Sequence, residues 1–160
     1  MKRIVLILLM LVNLFSLNAQ ENELFKDREY PQWFSDAKLG IFIHYGLYSV
    51  PSYSDKEQYA EWFYKGLISN DSLRINFQKE VFGENFEYRD YKDLFKAELF
   101  DAAEWADLFA KSGAKYILFT SKHHDGYCMW DSEYAKGWSS ATTTPKRDFC
   151  AELADEVRKR

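Results

Sequence analysis

The residues best suited to binding chemistry are the three histidines of the chain, which follow two strand-like runs. His123 and His124 are adjacent and come just after the apolar run Lys115–Ser121, whereas His44 ends the similar run Leu39–His44. The carboxyl ends of parallel strands are where α/β barrels and open sheets place their ligand sites. We therefore expect all three imidazoles to face one pocket.

Several side chains of the chain could bind the hydroxyl groups of a ligand together with the histidines. A neutral imidazole offers one donor and one acceptor, so several of them can bind hydroxyl groups without burying a charge. The carboxylate of Glu61 can accept hydrogen bonds from two hydroxyls at once. Trp62 or Trp130 can provide an apolar surface for a methyl group or a ring face. The sequence thus predicts a site with polar partners and an aromatic wall.

Each assignment has an alternative. Adjacent strand residues point to opposite faces, so one of His123 and His124 could pack in the interior. His44 could be a strand-end histidine whose hydrogen bonds are satisfied inside the protein, and Glu61 could be a solvated helix charge. Asp125 is expected to shape the turn after the histidine pair rather than to touch a substrate.

One helix is well signalled in the second half of the chain. Asp101 is a natural N-cap, and Gly113 stands just past the end of the helical pattern. Phe100 is expected to pack on Trp105, which is assigned to the core, with Leu108 beside it. The sequence predicts a helix between Asp101 and Gly113.

This helix leads directly into a strand. Gly113 and Ala114 form a short connection to Lys115–Ser121, so helix and strand make one α/β unit. The continuous apolar character of Leu39–His44 predicts a parallel strand buried on both faces. A final helical pattern spans Asp148–Arg160, and Pro145 would suit its first turn.

Composition excludes some partners. The net charge of −4 is spread along the chain without a basic stripe, so a nucleic-acid partner is not expected.

Cys128 and Cys150 are an even pair, which permits a disulfide. Spacing alone cannot show that their side chains meet, and two free thiols are the favoured interpretation.

The first 19 residues resemble an export signal. Lys2 and Arg3 form a basic start, the apolar run Ile4–Val12 follows, and a small-residue cleavage site ends at Ala19. The apolar run is shorter than the roughly 20 residues of a membrane helix. We expect a periplasmic or secreted protein that begins at residue 20 and has no membrane attachment after cleavage.

Several blocks of the sequence, in order, resemble the amino-terminal part of glycoside hydrolase family 29, the α-L-fucosidases. The blocks are Trp33-Phe34, Lys38–Gly46, Ala60–Phe63, Ser121–Trp130 and Thr144–Asp148. The resemblance implies a (β/α)8 barrel of the TIM type, retaining hydrolysis of terminal α-L-fucosyl linkages in glycans, and no cofactor or metal. It also implies that the deoxy sugar is held by His44, Glu61, Trp62, His123 and His124, with Trp130 nearby.

The chain is short for such a barrel. An eightfold barrel takes about 250 residues, and only two strands are evident here. The family's nucleophile is an aspartate on a later strand, and no position of this chain matches it. We therefore expect residues 20–160 to be the front part of a barrel truncated after the first few strands, inactive by itself, and we assign no catalytic carboxylate.

Two other functions are consistent with these residues. A metal-dependent barrel hydrolase would use the three histidines and a carboxylate as ligands. A non-catalytic sugar-binding or inactive fragment would need no nucleophile. The sequence gives no indication of the oligomeric state.

Overall fold

The computed structural model of the chain describes residues 29–160, which belong to two units that meet in sequence at Lys38 and Leu39. The first unit contains helix α1 (Gln32–Ala37), in which the rings of Trp33 and Phe34 lie edge to face with centroids 5.7 Å apart. The predicted signal segment, residues 1–19, lies outside the described residues. None of the helices between residues 29 and 160 has the length and apolar character needed to span a membrane.

The second unit is built on two parallel strands. Strand β1 (Gly40–Ile43) pairs with β2 (Tyr116–Phe119), and Gly40 stands opposite Tyr116. The backbone N–H of Thr120 donates to the carbonyl of Ile43 over 3.0 Å, so the carboxyl ends of the strands lie side by side. Both predicted strands and the α/β class are confirmed, with shorter strands than expected. The described sheet has these two strands and does not close into a barrel.

The strands are not buried on both faces within residues 29–160, contrary to the prediction. Phe42 is 65% exposed and Leu118 is 50% exposed. Gly40, in contrast, is covered by the side chain of Tyr116. A Cβ atom at position 40 would lie 2.2 Å from the Tyr116 ring. The tyrosine ring therefore occupies space that only a glycine leaves open.

Short helices and 3₁₀ turns follow β1 between residues 47 and 94. Asp71 caps the longest of them by accepting from the backbone N–H of Leu73 over 3.0 Å. In order, the elements are 3₁₀ turns at Leu47–Ser49 and Ala60–Trp62, α2 (Phe63–Ile68), α3 (Ser72–Phe82), a 3₁₀ turn at Tyr88–Asp90 and α4 (Tyr91–Leu94).

Helix α5 (Ala102–Ser112) confirms the predicted start and end. The Asp101 carboxylate accepts from two backbone N–H groups, and Gly113 adopts a left-handed φ of 86°. The rings of Phe100 and Trp105 lie 4.8 Å apart between centroids, as expected. Leu108 is 63% exposed instead of lying beside Trp105, because the deeply buried side of the helix is formed by Ala102 and Ala106.

Helix α6 (Phe149–Val157) confirms the final helical pattern predicted over Asp148–Arg160, although it ends earlier. Asp148 is its N-cap and accepts from the backbone N–H of Ala151 over 2.8 Å. Pro145 lies before the helix and not in its first turn, so that prediction is wrong. The turn there is closed by the N–H of Lys146, which donates to the carbonyl of Thr143 over 2.7 Å.

The core is mainly aromatic. The partly buried Tyr45 packs against it, and its ring contacts those of Phe95, Phe100, Trp105 and Phe149 at centroid distances of 5.3 to 5.7 Å. Stacked and edge-to-face ring contacts of this kind add to the free energy gained by burying the rings. This packing fixes the residue that follows His44, and hence the end of β1.

The two cysteines are free thiols, as the sequence favoured. Cys128 is buried, and Cys150 is half-buried. Burial, with smaller contributions from Asp148 and Cys128, raises the pKa of the Cys150 thiol to about 11. The thiol therefore stays protonated and unreactive at neutral pH.

Candidate functional site

The ends of β1 and β2 bring the three histidines together. His44 directly follows β1, and its ring centroid lies 5.0 Å from that of His123, edge to face. The rings of His123 and His124 are 4.6 Å apart. The structure thus gathers in one cluster the three residues that the sequence places after two separate strands.

Trp62 joins this cluster from a different part of the chain. Its ring lies 4.3 Å from that of His124 and 5.9 Å from that of His123, measured between centroids. The 3₁₀ turn Ala60–Trp62, which continues directly into α2, holds the indole there. Glu61, in the same turn, is half-buried, and its charge acts to raise the pKa of His123. Its role in binding stays a prediction.

The adjacent histidines differ in environment. His123 is half-buried with a buried Nδ1 atom that has no hydrogen-bond partner among residues 29–160, whereas His124 is exposed. Burial is the main cause that lowers the pKa of His123, followed by the charges of His124 and His44; Asp125 and Glu61 oppose the shift. His123 is therefore neutral at neutral pH and retains one donor and one acceptor nitrogen.

Asp125 shapes the turn after the histidines, as predicted. Its Oδ1 accepts from the backbone N–H of Tyr127 over 3.0 Å, and its Oδ2 accepts from the hydroxyl of Tyr88 over 2.7 Å. The Trp138 indole N–H donates to the Asp125 carbonyl over 3.0 Å. Burial raises the pKa of this carboxyl, although the hydrogen bonds from Tyr88 and Tyr127 oppose the rise. Asp125 holds the backbone that carries His123 and His124.

Tyr48 is a residue of this cluster that sequence reasoning missed. Its side chain is buried, and its ring lies 5.4 Å from that of His123, edge to face. The hydroxyl has no hydrogen-bond partner in the described part of the chain, and burial together with Asp125 and Glu61 raises its pKa. Nothing in the local sequence distinguishes Tyr48 from the other tyrosines of this aromatic-rich chain.

Trp130 lies in a neighbouring cleft. This cleft has a volume of about 500 Å³ and is lined by Lys122, Trp130, Tyr134 and Trp138, among other residues. Within residues 29–160, the Trp130 ring makes no stacking or edge contact with the histidines. Its role in sugar binding stays a prediction.

The arrangement suits a neutral, polyhydroxylated ligand. The neutral imidazole of His123 and the carboxylate of Glu61 offer donors and acceptors, and the indole of Trp62 offers an apolar surface. Between residues 29 and 160, no three His, Cys, Asp or Glu side chains converge as they would around a metal ion.

A family model described as Alpha-L-fucosidase matches residues 15–160. An alpha-L-fucosidase of Dictyostelium discoideum is 44% identical over 134 residues, which cover 82% of this chain and 29% of that protein. The plasma alpha-L-fucosidase of Homo sapiens is 43% identical over 134 residues, covering 83% of this chain and 28% of the human protein. The chain thus spans less than a third of the length of these curated relatives.

Solved structures of fucosidases also match this chain, again over a third or less of their own length. The alpha-fucosidase of Thermotoga maritima in complex with fucose matches with a TM-score of 0.79 and 44% identity, over 84% of this chain and 33% of that one. An alpha-L-fucosidase GH29 from Bacteroides thetaiotaomicron matches with a TM-score of 0.64 and 33% identity, over 82% of this chain and 28% of that one.

Proposed function

The chain belongs to the alpha-L-fucosidase family of glycoside hydrolases, and from this premise we propose that the native protein hydrolyses terminal α-L-fucosyl linkages in glycans with net retention. Relatives named alpha-L-fucosidase that are 43–44% identical support the activity. The substrate class is a fucosylated glycan or glycoconjugate.

The observation that carries this proposal is the cluster at the strand ends. His44 and His123 are in ring contact, and Trp62 is in ring contact with His124. The imidazoles and the half-buried Glu61 would bind the sugar hydroxyls, because together they offer both donors and acceptors. Trp130 would be near the bound sugar.

The aromatic wall provides a physical basis for choosing fucose. Fucose carries a methyl group where galactose carries a C6 hydroxyl. A methyl group packs favourably on the Trp62 indole, whereas a hydroxyl buried there without a partner costs about 1–3 kcal/mol.

We further propose that β1 and β2 are strands of a TIM-type barrel. The strands are parallel neighbours, and α5 leads directly into β2, as in a barrel built of repeated helix and strand units. Further strands and helices would cover Phe42 and Leu118. A retaining mechanism needs two carboxyl groups about 5–5.5 Å apart. We place the nucleophile outside these 160 residues and regard Glu61 as a binding residue.

Export is also part of the proposal. The pattern of residues 1–19, with its basic start, apolar run and small-residue cleavage site, supports a periplasmic or secreted enzyme. Such a location would give the enzyme access to glycans outside the cytoplasm.

The test compares how fast the native protein hydrolyses two aryl glycosides. The aryl α-L-fucoside and the aryl α-L-galactoside differ only in the C6 hydroxyl, so the wall formed by Trp62 should favour the fucoside by about tenfold or more in kcat/KM. Proton NMR of the first product formed should show the α anomer. Equal rates, or the β anomer as first product, would contradict the proposal.

A further inference from the structure

A cleft of about 410 Å³ adjoins the histidine cluster and shares Trp62 with the site described above. It lies between the segment that precedes the 3₁₀ turn Ala60–Trp62, helix α2 and the start of α3. The side chains that form its walls include Gln58, Tyr59, Trp62, Lys65, Asp71 and Arg74. Its volume is within the range of ligand pockets in proteins.

The cleft combines open aromatic rings with polar groups. Tyr59 is 68% exposed and Trp62 is 38% exposed, which leaves ring surface available to a ligand. Lys65 and Asp71 bring opposite charges to the walls, so the cleft has no strong preference for an anion or a cation. Flat rings beside hydrogen-bonding side chains suit the alternating apolar and hydroxyl surfaces of a neutral sugar.

The wall that carries Tyr59 is held by a buried arginine. Arg74 is only 4% exposed, and its guanidinium donates to Gln58 Oε1 over 2.5 Å and to the Tyr59 carbonyl over 3.3 Å. The same group forms an ion pair with Asp71. Its Nε has no partner in the described part of the chain. This buried network around Arg74 gives the cleft a fixed wall, which a chance depression of the surface would lack.

Close packing on α2 keeps this arginine in place. A Cβ atom at Gly66 would lie 2.2 Å from Cδ of Arg74, so the arginine stem crosses the helix where a glycine leaves room. The backbone of Tyr59 is thereby tied to both α2 and α3.

Trp62 connects the cleft to the histidines. The same indole that lines the cleft lies 4.3 Å from the His124 ring. A fucosyl residue bound at the histidines would therefore have its neighbouring sugars within reach of Tyr59.

We propose that this cleft binds the part of a fucosylated oligosaccharide that lies beyond the fucosyl residue, with Tyr59 as a stacking platform for a neutral sugar. This inference rests on the proposed fucosidase function. It makes Tyr59 a specificity residue that extended glycans use and that a small aryl fucoside does not.

The test compares two substrates on one variant. Tyr59→Ala in the native protein should lower kcat/KM for a neutral fucosylated trisaccharide by about fivefold, chiefly through KM, because one stacking contact is lost. For an aryl α-L-fucoside, kcat/KM should change by less than about twofold. Tyr59 is exposed, so thermal unfolding should show an unchanged melting temperature.

Tyr134→Ala is the matched control. Tyr134 is 93% exposed and lines the neighbouring cleft that contains Trp130, so its loss should affect neither substrate. A trisaccharide defect in Tyr134→Ala but not in Tyr59→Ala would overturn the inference and assign the glycan to the Trp130 cleft. Equal kinetics of Tyr59→Ala and wild type on both substrates would also overturn it. A wild-type protein that cleaves neither substrate would instead contradict the proposed function itself.

Discussion

The imidazoles of His44 and His123 contact each other edge to face at a centroid distance of 5.0 Å, although each follows a different strand. The contact exists because β1 and β2 are parallel and in a register that pairs Ile43 with Phe119, so their carboxyl ends coincide. The pair thus reports directly on the strand register. Any change that shifts one strand against the other would separate the two rings.

Removal of the histidines should reduce activity. His44→Ala and His124→Ala in the native protein should each lower kcat/KM for an aryl α-L-fucoside by more than about tenfold, because a hydrogen bond that strengthens in the transition state is worth over about 1.4 kcal/mol. Steady-state kinetics would measure the effect. Lys122→Ala, which alters an exposed neighbour of the cluster, should stay within about twofold of wild type. Near-wild-type kinetics of a histidine variant would remove that residue from the site.

The lowered pKa of His123 predicts how it titrates. Burial, followed by the charges of His124 and His44, lowers its pKa below the usual value of 6.5. Imidazole NMR of the folded protein should give a midpoint below 6.5 for His123. In His124→Ala that midpoint should rise, since the electrostatic influence of His124, which lowers the pKa of His123, is removed. A midpoint at or above 6.5 in the wild type would contradict the assigned environment.

The same shift has a consequence for stability. As pH falls below 6.5, the unfolded chain binds the proton at this histidine before the folded chain does, so the free energy of unfolding should decrease between pH 6.5 and the lower folded pKa. The contribution is fully present above that window. Urea unfolding at several pH values should show a shallower decrease in His123→Gln, which does not titrate.

Chelation separates the two enzyme hypotheses. If the imidazoles bind hydroxyl groups, fucosidase activity should survive exhaustive dialysis against a chelator, and elemental analysis should find no stoichiometric zinc. Loss of activity that zinc restores would favour the metal-dependent hydrolase. Incubation with zinc after dialysis, followed by the same assay, provides the control.

Arg74 should be important for stability. Arg74→Met keeps most of the stem but leaves Asp71, Gln58 and the Tyr59 carbonyl without their donor, so we expect the free energy of unfolding to fall by about 3 kcal/mol. Urea unfolding monitored by tryptophan fluorescence would measure the loss. Arg158→Ala is the matched control, because its ion pair with Asp155 has both side chains more than 70% exposed. A change within about 0.5 kcal/mol is expected there, and an equally small effect of Arg74→Met would show that the buried network does not stabilise the fold.

The parts of the fold that the sequence predicted are those controlled by local interactions. Asp101, Phe100 and Gly113 act within one or two helical turns, so the limits of α5 could be recognised without knowing its neighbours. The ends of the two strands were also recognisable from local sequence. Their positions allowed His44 and His123 to be placed in one site. Pro145 lies outside α6 because Asp148 caps the helix three residues further along the chain.

Interactions between distant segments could not be predicted. Tyr48 joins the histidine cluster through tertiary packing, and Arg74 crosses Gly66 to reach the Tyr59 carbonyl. Neither relationship leaves a periodic or capping signal in the sequence. The contact of Trp62 with His124 was expected only because the resemblance to a known family placed both residues at one sugar.

The contact between Gly40 and Tyr116 has an evolutionary consequence. The two residues stand opposite each other in the sheet, and any side chain larger than hydrogen at Gly40 would enter the space of the tyrosine ring. Natural variation at the two positions should therefore be linked: descendants that replace the glycine should first, or simultaneously, acquire a smaller residue in place of the tyrosine. A library that randomises both positions together should yield folded variants that separate randomisation of Gly40 cannot reach.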